Sequence, residues 1–370
     1  MRRNPEMLAA VFEGVGIILV RPVPRPPIGP DEVLVQVGAA AICGTDVRIY
    51  TGQKTRGVRT PSILGHEMAG DIVQAGPEVA GWQVGDRIVI APVITCGTCH
   101  LCQRGLSNLC INRVALGYEY DGGFAQYVRI PARAIAAGNL FRMPDHVSYA
   151  EASLAEALSC CINGQENLGI CAGDSVLIVG TGPIGMMHLR LAKAIGDTRV
   201  LVSEPDQGRR QLAEETGADL VFDPGAVDLR EFLREHTDNF GVDKIILTAG
   251  SPTAVNDLLG CLRKGGGINL FAGFPVCSQS LIDPNLIHYN QLHISGASAS
   301  TLRQFQMALS AIADGDVGVG TIITDTFPLV EFDKALEHTM ASTGLKTIIV
   351  PWGESTGGDG RCPIWAAKSG

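Results

Sequence analysis

From Val33 to about Val89 the chain sets short apolar runs, VLVQVGAAAI, MAGDIVQAG and DRIVIAP, between glycines, prolines and aspartates. That rhythm predicts short strands and a small barrel-like β domain. Between Glu151 and Asn167 the period changes: Leu154, Leu158, Cys161 and Ile162 recur at spacings of three and four, which predicts a helix. Residues 175 to 300 then alternate apolar runs (SVLIVG, RVLVSE, KIILTAG, INLFAG) with amphipathic segments (MMHLRLAKAIG, RRQLAEETG, AVNDLLGCLRKGG). Alternation of this kind predicts β-α-β units and a doubly wound parallel sheet. Two further amphipathic helices, TLRQFQMALSAIADG and FDKALEHTMAS, and a strand at TIIVP follow. From Trp352 the text becomes rich in Gly and Ser and predicts a poorly ordered tail, in which Trp365 could dock on a neighbour.

A chain of 370 residues exceeds what one hydrophobic core usually serves, so two domains are expected. Hydrophobic residues at 46% against 18% charged suit a folded body rather than disorder. The net charge of −9, without a basic stripe, argues against nucleic acid as a partner. No apolar run is long enough to span a membrane, and MRRNPEM lacks the features of a signal peptide, so a soluble cytoplasmic protein is expected.

Eleven cysteines, four of them in one segment, suggest metal use in a reducing compartment. In CGTCHLCQRGLSNLC, Cys96, Cys99, Cys102 and Cys110 follow C-x2-C-x2-C-x7-C spacing. Four thiolates complete a tetrahedral Zn²⁺ and leave no open position, so this zinc would shape a loop and perform no chemistry. Paired disulfides or an iron–sulfur cluster are the alternatives. Cys171, Cys261, Cys277 and Cys362 are most simply apolar fillers or free thiols.

SVLIVGTGPIG runs an apolar strand into Gly180, Gly182 and Gly185, with a helix directly after. The G-x-G-x-x-G spacing allows a tight turn, approach of backbone to a pyrophosphate and close helix packing, with the helix N-terminus toward the phosphates. Glu204 ends the next strand 19 residues beyond Gly185, where a carboxylate would accept hydrogen bonds from ribose hydroxyls and favour NAD over NADP. Arg209 and Arg210 follow on a helix, and either could turn toward a 2′-phosphate. The alternative is glycines that merely close a β-α turn.

Three other segments carry ligand-type residues amid apolar text: ICGTD at Cys43, ILGHEMAG at His66 and Glu67, and LAEALSCC at Glu156. One metal could gather them, because a catalytic zinc takes three protein ligands from sulfur, nitrogen and oxygen donors and keeps one position open.

CGTD, LGHEMAG, the four-cysteine lobe, DGGFAQYV, AEALS and GTGPIG, in this order, resemble the zinc-dependent medium-chain alcohol and polyol dehydrogenase family, over about Leu8 to Pro351. The resemblance, closest to its sorbitol and threonine dehydrogenase branches, implies an α/β architecture. A GroES-like β-barrel catalytic domain (1–156 and 298–370, structural zinc lobe at about 93–112) would surround a Rossmann domain (157–297). It implies two zinc ions per subunit, NAD, and a homo-oligomer, dimer or tetramer, built partly by pairing sheet edges near residues 268 to 298. Carried over, Cys43, His66 and Glu156 fall on the catalytic zinc ligands, with Cys160 and, more distantly, Glu151 as rivals for the third place. Glu67 falls on the acidic residue behind the metal, an exchangeable ligand or an outer neighbour, and Asp46 on a partner that orients the site. Around the dinucleotide the resemblance implies Gly180, Gly182, Pro183, Ile184, Gly185, Glu204, Arg209, Ala249, Gly273 and Ser298.

The resemblance also implies the chemistry: hydride passes from an alcohol carbon to nicotinamide, and Thr45 hydrogen-bonds the substrate oxygen. Thr45 could equally serve as the N-cap of the turn that follows. Arg48 stands where many relatives place a relay His, and a guanidinium cannot act as a base. Proton exit must then differ, and one route runs from Thr45 through the ribose hydroxyl to water. Alternatively Arg48 grips a cofactor phosphate or an anionic substrate group, or it is a solvated surface residue. Tyr118, Glu119 and Tyr120 are expected near the substrate, without assigned roles. The reading that follows is a zinc-dependent dehydrogenase interconverting a secondary alcohol (polyol, sugar or cyclitol) and its ketone. Threonine-type amino-alcohol oxidation and a non-catalytic nucleotide sensor are the alternatives.

Overall fold

The computed structural model describes residues 5–353; Cys362, Trp365 and the rest of the expected tail lie outside them. Trp352 does not belong to a loose tail, since its indole N–H donates to Val37 O at 2.9 Å and its ring meets Tyr127 edge-on. The chain forms two compact units, one running to Glu156 and resumed by Thr301–Asp314 and from Val319 onward, the other Ala157–Ser300 with Gly315–Gly318.

The first unit is built mainly on antiparallel strands, Ile323–Pro328 and Lys346–Val350 being paired in parallel. Glu6–Gly14 lies between Ile17–Pro24 and Ser62–Ile63. A larger sheet runs in the order Leu140–Arg142, Arg87–Ile90, Glu67–Ala75, Val33–Ala41, Lys346–Val350 and Ile323–Pro328, and Tyr127–Ile130 also pairs with Val33–Ala41. Val33, Val35, Val37, Ile72, Ile88, Ile90 and Ile349 fill its core with Phe124 packed at a tilt against Phe332. Each such side chain contributes about 1.5–3 kcal/mol by leaving water. The small hairpin Val93–Ile94 with Val114–Ala115 frames the cysteine lobe.

The second unit is a six-stranded sheet in the order Leu220–Phe222, Arg199–Ser203, Ser175–Val179, Val242–Leu247, Leu262–Leu270 and His293–Gly296. Every pairing is parallel. Strands buried on both faces, such as VLIV and KIIL, explain the continuous apolar runs in the sequence. The winding direction reverses between Ser175–Val179 and Val242–Leu247. Ligands of such sheets bind beyond the carboxyl ends of strands at that switch.

Candidate metal centres and dinucleotide site

Strand register builds the first cluster. Ala41 pairs with Glu67 across the antiparallel ladder, so Cys43, two residues beyond one strand end, meets His66, one residue before the other. Gly65 makes the approach possible: its φ is +91°, and a Cβ there would lie 2.8 Å from the Phe124 ring. Ligand atoms of Cys43, His66 and Glu67 lie within 4.8 Å of one another.

Asp46 ties the two ligand segments together. Its Oδ2 accepts from Cys43 N–H at 2.9 Å, and its Oδ1 lies 3.5 Å from His66 Nδ1. Cys43, not Thr45, is the N-cap of the helix Gly44–Tyr50, with Sγ accepting from Thr45 N–H at 3.5 Å, which leaves Thr45 in the first turn. The hydroxyl of Tyr118 sits 3.4 Å from His66 Nδ1. Burial opposes a positive charge on His66, yet Tyr118, Cys43 and Asp46 together outweigh it and raise its pKa well above the usual imidazole value. A metal would displace that proton and take its place among the same negative groups, and the donor set fits a zinc held by sulfur and nitrogen.

Glu156 stands outside the set within 4.8 Å, although its charge acts on Tyr118 and Lys346. Glu151 is committed elsewhere: it closes a capping box with Ser148 at the start of Tyr149–Ser153. Cys160 stands one helical turn beyond Glu156 on Ala155–Leu168. Arg48 has no side-chain hydrogen bond or ion pair among the described residues, while its carbonyl accepts from Lys54 N–H at 2.9 Å.

Two residues carry weight that the sequence left unassigned. Lys346 opens the strand KTIIV and is buried, with Nζ 2.8 Å from Glu67 Oε1 and 2.6 Å from Oε2. The signal was present, since a lysine heading an apolar strand needs a buried partner. Thr248 donates its hydroxyl at 2.9 Å to Val179 O and to Gly180 O, locking the glycine turn. No sequence signal separates that threonine from an ordinary strand end.

In the cysteine lobe, Sγ atoms lie 3.5 Å apart for Cys99–Cys102, 3.9 Å for Cys99–Cys110 and 3.4 Å for Cys110–Cys96. Tetrahedral zinc with its sulfurs at ~2.3 Å spaces them by about 3.8 Å, whereas a disulfide needs about 2.05 Å. The backbone N–H of Cys99 donates to Cys96 Sγ at 3.4 Å, and donors from Thr98 and Cys99 bring the Cys96 thiol down to about 5. Cys99 is likewise shifted down, while burial pushes the Cys102 thiol up to about 11; four sulfurs at these spacings fit a structural zinc.

In the second unit, Gly180 has φ +91°, and a Cβ on Gly185 would lie 2.0 Å from Gly180 O, so strand and helix close up only because both are glycine. Gly182 caps Pro183–Ala194 without a side-chain bond, and no atom would meet a Cβ there within 4 Å. The N–H groups of the first turn, including Ile184 and Gly185, are therefore available to an anion. Glu204 is buried: Oε2 accepts from Thr181 N–H at 2.7 Å and from Thr181 Oγ1 at 3.0 Å, and Oε1 from Asp206 N–H at 3.0 Å. Arg210 donates to Glu204 O and Pro205 O, and Arg209 N–H donates at 2.8 Å to Oδ1 of Asp206, the N-cap of Gln207–Glu215. Ala249, Gly273 and Ser298 each follow a strand's carboxyl end.

Comparison with known proteins agrees with both units. Residues 29–145 match the alcohol dehydrogenase GroES-like domain, and residues 183–314 match the zinc-binding dehydrogenase domain. An L-threonine 3-dehydrogenase of Pyrococcus furiosus is 36% identical over 89% of this chain and 93% of its own. A sorbitol dehydrogenase of Bacillus subtilis is 32% identical over 93% of this chain and 97% of its own. A zinc-binding dehydrogenase of Sinorhizobium meliloti 1021, solved with NADP, superposes with a TM-score of 0.88 at 33% identity, covering 94% of this chain and 100% of that one. Two domain matches in chain order, with full-length relatives above thirty per cent identity, leave one conclusion: the chain belongs to the zinc-dependent medium-chain alcohol and polyol dehydrogenases.

Proposed function

We propose that the protein oxidises a secondary alcohol of a polyol, sugar or cyclitol to its ketone, with NAD as hydride acceptor. The reaction balances as R₂CHOH + NAD⁺ → R₂C=O + NADH + H⁺. The observation that carries this reading is the meeting of Cys43, His66 and Glu67 within 4.8 Å, with Asp46 accepting from Cys43 N–H and its other oxygen 3.5 Å from His66 Nδ1. Bound zinc supplies Lewis acidity toward the alcohol oxygen. Cys43, His66 and Glu156 hold the ion. Glu67, with both oxygens on Lys346, is an outer neighbour rather than a full-time ligand. Asp46, 3.5 Å from His66 Nδ1, would orient that ring toward the ion. Thr45 would accept a hydrogen bond from the alcohol and relay the proton, its own hydroxyl hydrogen passing to a ribose hydroxyl and on to water, and Arg48, always protonated, takes no part as a base.

Glu204 supports NAD. A buried carboxylate held by three donors accepts from ribose hydroxyls and repels a 2′-phosphate. The relative solved with NADP makes this the cofactor question to measure. We propose a second, structural zinc on Cys96, Cys99, Cys102 and Cys110. We also propose residence in the cytoplasm, where four clustered thiols stay reduced. A homo-oligomer is supported by the edge strand His293–Gly296, which offers Ile294 and unpaired backbone, beside exposed Tyr289.

Absorbance of reduced nicotinamide with a polyol panel, with and without chelator, tests the function. Cys43→Ser abolishes turnover, removes one zinc per subunit and leaves NAD affinity unchanged. Retained activity with full metal content removes Cys43 from the ligand set. Light scattering of the purified protein tests the oligomer, and a monomeric mass rejects it.

A further inference from the structure

Lys54 is a cation with no anion to serve. Its backbone N–H donates to Arg48 O at 2.9 Å, folding the loop after Gly44–Tyr50 back on that helix. Its ammonium then lies 3.8 Å from the centroid of the Tyr118 ring, whose hydroxyl is 3.4 Å from His66 Nδ1. One phenol therefore separates Lys54 from the cluster of Cys43 and His66. Glu119 is the carboxylate with the largest pull on Lys54, yet no ion pair forms, and Glu119 Oε2 accepts instead from Ala115 N–H at 2.8 Å. The three ammonium donors find no acceptor among the described residues.

A lysine without a task extends into water, where hydration is free. Lys54 is half-buried on an aromatic face, and that burial presses its pKa down, against the pull of Glu119, Asp46 and Cys43. An ammonium so placed gains most from an incoming anion, because it has already lost water without gaining a counter-charge. A neutral polyol offers only hydroxyls to such a group. A phosphate monoester or a carboxylate offers charged oxygens.

We propose that Lys54 is a specificity-determining residue that selects alcohols bearing an anionic group, a phosphate monoester or a carboxylate, with Tyr118 as the platform that holds the ammonium toward the substrate. This rests on the reading of Cys43 and His66 as the catalytic metal centre. Lys54→Met keeps the aliphatic cover over Tyr118 and removes the charge, whereas Lys54→Arg keeps the charge, so the pair separates recognition from packing.

The experiment compares zinc-loaded full-length protein, Lys54→Met and Lys54→Arg with sorbitol, sorbitol 6-phosphate and gluconate, reading kcat and KM separately. The wild type is expected to favour an anionic alcohol over sorbitol at least tenfold in kcat/KM. Lys54→Met collapses that ratio at least tenfold, mainly through KM, and Lys54→Arg restores most of it. A response confined to sorbitol 6-phosphate assigns a phosphate monoester, and one confined to gluconate a carboxylate. A wild type without anionic preference, or a ratio that Lys54→Met leaves in place, overturns the proposal. If no alcohol is oxidised, the polyol reading fails by itself. Lys54 is then judged by calorimetric binding of sorbitol 6-phosphate, where equal affinity for wild type and Lys54→Met overturns its role and a tenfold loss sustains it.

Discussion

Lys346 and Glu67 form a bidentate ion pair with both side chains buried, Nζ standing 2.6 Å and 2.8 Å from the two carboxylate oxygens. Register explains it. Ala41 pairs with Glu67 on one side and with Ile348 on the other, so Glu67, Ala41, Ile348 and, two residues back, Lys346 share one face of the sheet.

Removing one member of such a pair leaves an uncompensated buried charge. Lys346→Met is expected to cost about 3–5 kcal/mol of unfolding free energy in the zinc-loaded protein. Lys346→Met combined with Glu67→Gln should cost clearly less than the sum of the two single changes. Urea denaturation of the three variants measures the coupling, and strict additivity would show that the pair is not energetically linked.

Asp46 bonds both to Cys43 N–H and toward His66 Nδ1, so it sets the aim of a proposed sulfur ligand and a proposed nitrogen ligand together. Asp46→Asn keeps the size of the side chain and loses the charge. Partners of this type change metal affinity by about 10- to 100-fold. Competition against a chromogenic chelator should show a loss in that range confined to one zinc, with the cysteine-lobe zinc retained. Unchanged affinity at both sites would reduce Asp46 to a helix cap.

The two domain types were legible because their periods differ: alternating short strands before Val89, and strand-helix alternation after Ser175. Motifs tied to backbone necessity were legible too. Gly180, Gly185 and Gly65 occupy positions where a side chain would strike a hydroxyl, a carbonyl and a ring respectively. Partnerships made by long-range register were not. Nothing near Lys346 in the sequence points 279 positions back to Glu67, and Tyr118 gave no sign that its ring would carry Lys54 on one side and touch His66 on the other. Thr45 as an N-cap followed local Thr-Asp statistics, whereas the strand end places Cys43 one step earlier at that position. Glu156 was illegible as a neighbour for a related reason: it sits in the first turn of Ala155–Leu168, and its distance from Cys43 depends on packing that no spacing encodes.

Glu204 owes its aim to Thr181, which supplies two of its three hydrogen bonds. Glu204→Ala removes the proposed ribose acceptor and the charge that would repel a 2′-phosphate. The ratio of kcat/KM for NADP over NAD should rise at least about tenfold. Thr181→Val keeps the backbone donor and loses the hydroxyl, so a smaller shift in the same direction is expected. A ratio unmoved by Glu204→Ala would show that cofactor choice lies elsewhere on the unit.

His188 gives the fold a defined response to acid. It is fully buried, burial pushes its pKa down to about 3, and Gln165 Nε2 lies 3.3 Å from its Nδ1 while Phe271 meets the ring edge-on. In the unfolded chain an imidazole titrates near ~6.5, so between that value and about 3 the unfolded state binds a proton that the native state refuses. Stability from this group is therefore intact above the unfolded pKa and falls as the pH drops through that window, by roughly 1.4 kcal/mol per pH unit. His188→Leu removes the titration and keeps an apolar filler. At pH 7 the variant should lose about 1 kcal/mol from the missing hydrogen bond. From pH 6 to pH 4, its urea midpoint should decline less steeply than that of the wild type, by the equivalent of one proton. Parallel declines for the two proteins would mean that His188 is protonated in the native state, and that its buried ring is paid for by a rearrangement the fold does not display at neutral pH.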